Sequence, residues 1–463
     1  MPRSHSTFRS FRLGGVTAIA ASVALGFPAA HTGAPAANSA HGTAGRVAAV
    51  RPVPGVDQLK NSHARFPAPL PTSKCLASLG IRCYTPLQYR SAYDLNPLYA
   101  DGITGRGTTI MIVDSFGSPT IGNDVHVFDR QFGFPDPDLA IVQAGRIPAF
   151  DPANSTMVGW ADETTLDVEY AHAIAPGSKI VLVETPVAET EGVTGFPEMM
   201  NAEKALMDRG IGDVISQSFG ATENTFPGYN QGNFSSLLSL RYAFKEAFAH
   251  HVTVLGAAGD AGATDDELDG TALYPFRVNS WPSADPLVTS VGGAQLYLDD
   301  AGHRMRADSV WNDGLGAGGG GRSAVFGRPV FQDGVSRVVG DHRGTPDISM
   351  SAAVNGGCWF YRSIEPAGPG WGMLGGTSEA TPIFSGIVAL ADQAAGHRLG
   401  DINPALYALG AASKHSNTGL VDVTTGSNSY GGVTGFDAVP GYDLASGWGT
   451  IDAARFVRAL ASF

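Results

Sequence analysis

Long apolar runs and cysteine are nearly absent from this 463-residue chain, and cationic charge is outnumbered by anionic. The one apolar run, LGGVTAIAASVALGF at residues 13–27, is shorter than the ~20 residues that span a bilayer. No other stretch offers a membrane span. Charged residues make up only 16% of the chain, and 43 acids against 30 bases leave a net charge of −13. That balance argues against nucleic acid or an anionic membrane as the main partner. Three cysteines permit a single bridge at most; Cys75 and Cys83 are near enough to close a small loop, leaving Cys358, but spacing alone does not fix the pairing. Internal repeats are also missing, which excludes a solenoid.

What is present is glycine, 60 residues of it, and 43% hydrophobic residues, enough for a sizeable, loop-rich core. Arg3, Arg9 and Arg12 precede the apolar run, and Ala34-Pro35-Ala36 follows it as a cleavage site, so residues 1–36 read as a secretory signal peptide. Secretion, an extracellular location and an oxidising compartment are the corresponding expectations. Residues 37–82 read as a leader, and 83–463 as the folded domain. Apolar strands such as TTIMIVDSFG, KIVLVET, DVISQSFG and VTVLGAAGD alternate with helices such as ETTLDVEYAHAIAP, with Asp162 as its N-cap, and FPEMMNAEKALMDRG, with Gly210 as its C-cap. This alternation predicts an α/β fold, a mostly parallel central sheet with helices on both faces. In such sheets chemistry gathers at the carboxyl ends of the strands.

Ser378, in GGTSEATP at a loop-to-helix junction, has the setting of a nucleophile, and a serine hydroxyl needs a base. Histidine in a useful place is a further shortage. His41 precedes every strand, and His172 sits late in its helix among alanines, in the manner of a packed residue. Glu163 and Asp167 lie i,i+4 on one helical face. A solvated acidic face accounts for that spacing taken alone. Two close carboxylates can also share a proton, the outer one accepting the serine's proton while the other orients it. Asp260, in the Gly-flanked turn GAAGDAG after an apolar strand, can donate to an oxyanion when protonated. Two other readings stay open: a Ser-His-Asp hydrolase using Asp114, and a catalytically silent binding protein.

Taken together, ETTLDVEYAHAIAPGSKI, VISQSFGATE, GAAGDAG, GAGGGGRSAVF and GWGMLGGTSEATP resemble, in order, the motifs of the sedolisins, the serine-carboxyl peptidases. The resemblance covers roughly residues 83–463. It implies a subtilisin-like three-layer fold and an acid-active endopeptidase acting, as a monomer, on peptides or unfolded proteins. It implies Ser378 as nucleophile, Glu163 as general base and acid, Asp167 as its partner and Asp260 in the oxyanion hole. Ser218-Phe219-Gly220 then match the strand that pairs with an extended substrate, and the Gly318–Gly321 loop lies near the same cleft. It also implies one structural calcium ion, held by Asp422 and Asp443 with the carbonyls of Val423, Val439 and Gly441. The family commonly carries a long pro-domain; about fifty residues separate the signal peptide from the folded region here, which puts zymogen control in question.

Overall fold

The computed structural model describes residues 66–463 together with the backbone of the short strand Arg51–Pro52. The signal-peptide reading therefore lies outside the described residues. The central sheet has eight strands: β1 (Thr109–Ser115), β2 (Asp138–Gln143), β3 (Lys179–Thr185), β4 (Val214–Gln217), β5 (Thr253–Ala257), β6 (Thr289–Gln295), β7 (Ser309–Val310) and β8 (Ile348–Ser351). Their order is β7-β6-β5-β4-β1-β3-β2, with β8 beside β6. Every pairing is parallel except that of the two-residue edge strand β7.

The continuous apolar runs of these strands have a structural cause. In β1, Ile110 and Ile112 enter one core while Met111 and Val113 enter another, and in β3 Ile180 and Leu182 part from Val181 and Val183 in the same way. Side chains alternate across a strand, so a sheet buried on both faces needs apolar residues at every position. One face is covered by α1 (Ile121–Phe132), α2 (Ser155–Ile174) and α5 (Thr377–Ala395). The other is covered by α3 (Phe196–Met207) and α4 (Tyr242–Ala249). The layers are those expected. Among the described residues no helix is long and apolar enough to cross a membrane.

Three boundaries differ from the sequence reading. Helix α2 begins seven residues before Asp162; Asn154 is the cap, its side chain accepting from the N–H groups of Thr156 at 3.0 Å and Met157 at 3.3 Å. Asp162 lies within the helix and pairs with Arg362. Helix α3 ends on Asp208 as C-cap rather than on Gly210, which instead serves the following turn with φ 73°. Among the described residues, 66–82 are packed against the body ahead of residue 83. A helix at Thr72–Leu79 is held to it by the Cys75–Cys83 disulfide, with both cysteines fully buried. Cys358 is free and buried.

Candidate active site

The antiparallel hairpin of β9 (Gly357–Arg362) and β10 (Gly370–Gly375) runs straight into α5 and delivers Ser378 as the second residue of that helix. Gly376 is the cap between them, and its φ of 134° is one that a side chain disfavours. The first N–H groups of a helix lack intrahelical partners, so Ser378 sits where developing negative charge is stabilised. Pro382 in the next turn has no N–H for the carbonyl of Ser378, four residues earlier. The hydroxyl of Ser218 lies 3.5 Å from that carbonyl.

Helix α2 packs lengthwise against α5 and is buried along almost its whole length. Glu163 and Asp167 project from it with no exposure at all, and Ser378 is equally closed off. The solvated acidic face is thereby excluded. Ser218, one residue past β4, donates its hydroxyl to Asp167 Oδ1 at 2.9 Å. Burial pushes the Glu163 carboxyl well above its ordinary range, and the neighbouring Asp167 pushes it further. The Ser378 hydroxyl works against that rise, approaching Glu163 without completing a hydrogen bond of normal geometry. Asp167 is raised by burial and by Asp114, and eased by the bond from Ser218. Asp114, at the carboxyl end of β1, is itself pushed up to about 7, mainly by burial and in part by Glu184. A chain of buried acids thus runs from the serine to the floor of the sheet.

Asp260 lies three residues past β5 and is 4% exposed. Its Oδ1 accepts from the Thr377 N–H at 2.8 Å and from the Thr377 hydroxyl at 3.0 Å, which ties its turn to the residue before the serine. Glu163, Asp167, Asp260 and Ser378 therefore meet in one buried cluster, drawn from three segments of the chain. The Gly318–Gly321 loop straps this turn: Gly319 donates to the Gly259 carbonyl at 2.8 Å, and Ala317 to that of Asp260 at 2.9 Å. A Cβ on Gly319 would fall 1.9 Å from the Ala258 carbonyl, so the bare backbone serves the protein's own close packing.

Ser218-Phe219-Gly220 continue β4 towards the cluster, and the chain then pairs at Ala221–Thr222 with Ser280–Trp281. The Phe219 ring is buried 5.9 Å from that of Phe196, so these residues have backbone rather than side chains to offer a peptide. His172 belongs elsewhere: its Nε2 lies 2.8 Å from the Pro135 carbonyl and 3.4 Å from Asp129, with both side chains buried. The part that sequence reasoning missed is the place of Asp114. An aspartate ending a strand suggests a Ser-His-Asp triad, whereas here it backs the carboxylate pair.

The proposed calcium ligands also come together. Asp422 accepts from the Gly441 N–H at 2.8 Å, and Asp443 from the Val439 N–H at 2.9 Å. Asp443 further accepts from the N–H groups of Ala445 and Ser446 at 3.0 and 2.8 Å. The Ser446 hydroxyl lies 3.0 Å from Asp443 and 3.4 Å from the Val423 carbonyl. Burial raises both carboxyls despite these bonds.

The sequence profile of the Subtilase family matches residues 153–406, which include Glu163, Asp167, Asp260 and Ser378. Kumamolisin of Bacillus sp. (strain MN-32) is 31% identical over 389 residues, covering 81% of this chain and 63% of that protein. Sedolisin of Pseudomonas sp. (strain 101) is 30% identical over 391 residues, covering 83% of this chain and 62% of that protein. The chain thus spans about three fifths of the length of these relatives. The solved structure of Pseudomonas sedolisin, a serine-carboxyl proteinase complexed with two molecules of pseudo-iodotyrostatin, superposes with a TM-score of 0.68 at 26% identity. That match covers 82% of this chain and 99% of the solved one.

Proposed function

This chain belongs to the sedolisin family of serine-carboxyl peptidases on a subtilisin-like fold, and from that premise we propose that it is a secreted endopeptidase that works in acid. The observation that carries the reading is the burial of Glu163 and Asp167 beside Ser378, with Asp114 and Asp260 as the other charged neighbours acting on Glu163 and no imidazole among them.

In this mechanism the buried pair shares one proton, because two adjacent carboxylates in a dry site resist ionising together. Ionised Glu163 takes the proton of Ser378 as its Oγ attacks the scissile carbonyl carbon. The oxyanion is stabilised by backbone N–H groups at the start of α5 and by Asp260, which donates a hydrogen bond only when protonated. Glu163 then returns its proton to the departing amine as the C–N bond breaks. Water, deprotonated by the same carboxylate, attacks the acyl carbon, and Glu163 gives that proton to the Ser378 oxygen as the acyl–serine bond breaks. Both requirements, a protonated Asp260 and a singly ionised pair, favour acid conditions. The extended substrate pairs with the backbone of Ser218–Gly220.

For calcium, the donor set is two carboxylates and main-chain carbonyls, all hard oxygens, which suits Ca2+ rather than a transition metal. Two raised carboxyls gathered on one loop are also what a cation would relieve. Asp422, Asp443 and the carbonyls of Val423, Val439 and Gly441 would hold the ion, which would brace the C-terminal loop and take no part in the chemistry.

The test is an assay on an unfolded protein between about pH 3 and 8, with Ser378→Ala and Glu163→Gln alongside. Cleavage confined to acid and lost in both variants is the expected result. Folded protein that cleaves nothing at any pH would favour a silent binding protein. Activity peaking near neutrality and lost with His172 would favour the Ser-His-Asp reading.

A further inference from the structure

A cavity of about 540 Å³ opens at the carboxyl ends of β1, β2 and β3. Its walls are apolar, including Phe116, Ile141, Ile147, Phe150 and Met157. Among the described residues that line it, Glu184 is the one charged side chain. Glu184 as a residue is 6% exposed, and one carboxyl oxygen, Oε2, accepts from Gln143 Nε2 at 3.0 Å. The other oxygen, Oε1, has no hydrogen-bond partner among the described residues.

The cavity adjoins the catalytic cluster on two sides. Met157 precedes Glu163 by six residues on α2, about 9 Å along the helix. Glu184 is the register partner of Asp114, which backs Asp167. Phe116, two residues beyond Asp114, holds a φ of 64°, a costly conformation for a bulky residue and one that gathers at ligand sites. Its backbone is pinned there by donation from its N–H to the Thr185 carbonyl at 2.8 Å.

We propose that this cavity is a substrate subsite, its apolar walls taking the methylene stem of a lysine or arginine side chain and Glu184 Oε1 taking the cationic head. Lys and Arg bury their stems along apolar surface and seek a carboxylate at the tip. An apolar residue would leave the carboxyl oxygen facing hydrocarbon, which is unfavourable for an unpaired polar group. An acidic residue has no cationic head to offer that oxygen. This inference rests on the peptidase reading, since it names a feature of that site's substrate.

The experiment is a cleavage profile of the wild-type protein on a peptide library in acid, followed by matched peptides differing only in Lys, Arg, norleucine or Glu at the selected position. A basic residue should be favoured at one fixed position relative to the scissile bond, by about tenfold or more in kcat/KM over norleucine. Glu184→Gln should bring that ratio close to one, and Glu184→Asp should restore part of it. Cleavage with no basic preference at any position overturns the subsite and leaves the peptidase intact. A preference that survives in Glu184→Gln also overturns it. Absence of all cleavage takes down the peptidase reading and the subsite with it.

Discussion

Two pairs of carboxylates in this molecule are built on opposite terms. Asp422 and Asp443 sit on a loop whose own backbone serves them, Asp443 alone drawing N–H donors from Val439, Ala445 and Ser446. Glu163 and Asp167 lie on a helix, where the backbone N–H groups are already spent on the i−4 carbonyls. Their one donor of good geometry is the Ser218 hydroxyl, and it reaches only Asp167. Both pairs are raised, but the helical pair is raised well above its ordinary range while facing further acids at Asp114 and Asp260. A carboxylate anchored by donors is a structural element. One deprived of them, beside a serine, has basicity to use.

The sharpest way to break that comparison is to remove the base. Glu163→Gln keeps the shape and abolishes proton transfer, so kcat/KM should fall by about 10²–10⁴-fold with the fold retained by circular dichroism. Asp422→Asn should leave kcat/KM within a fewfold of wild type under the same conditions. Comparable losses in the two variants would erase the distinction between working and anchoring carboxylates. Asp260→Ala comes next, with a loss of about 10²–10³-fold concentrated in kcat, as for a lost oxyanion donor. A loss expressed wholly in KM would move Asp260 from the transition state to ground-state binding.

The buried acids also make a prediction about stability. Beyond the catalytic cluster, burial holds Glu203 at about 8, Glu223 at about 7 and Glu379 at about 8, with Asp114 at about 7. Each folded value lies above its unfolded one, so the native state binds more protons than the unfolded state between about pH 4 and 8. Stability from these groups is complete below their ordinary range and is lost as pH rises through the folded values. The melting temperature should therefore fall from pH 4 to pH 8, by an amount on the order of 10 °C. A protein more stable at pH 8 than at pH 4 would mean these carboxyls are ionised and paired in the fold.

The sheet was legible because a strand buried on both faces leaves an unbroken apolar run, as in TIMIV and IVLV. The start of α2 was not, because Asn154-Ser155-Thr156 reads as a polar loop and Asp162 has the look of a cap immediately before the acidic pair. Asp162 in fact spends its charge on Arg362, two hundred residues away in sequence. The four members of the buried cluster were legible as motifs, Asp260 beside a glycine, Ser378 at a helix start, and Glu163 with Asp167 as an i,i+4 acid pair. Their burial was not, since an i,i+4 acid pair has the same spacing on a wet face as inside a core. Glu184 gave no signal at all: a glutamate closing KIVLVET resembles a strand leaving the core for solvent. Its meaning comes from the cavity that β1, β2 and α2 close around it.

The smallest expected effect tests the anchored pair. If the oxygens of Asp422 and Asp443 hold calcium, chelation removes a ligand that binds the native state alone, and stability falls with the logarithm of saturation. At a hundredfold excess over Kd that is about 2.7 kcal/mol, which for a domain of this size lowers the melting temperature by roughly 3 °C. Activity measured well below the melt should barely change, because the loop's carboxylates are held by backbone donors with or without an ion. Asp443→Asn should lower the melt in calcium and make it insensitive to chelator. An unchanged melt on chelation of the wild type would mean that the N–H groups of Val439, Ala445 and Ser446 satisfy Asp443 by themselves, and that this loop is braced by hydrogen bonds alone.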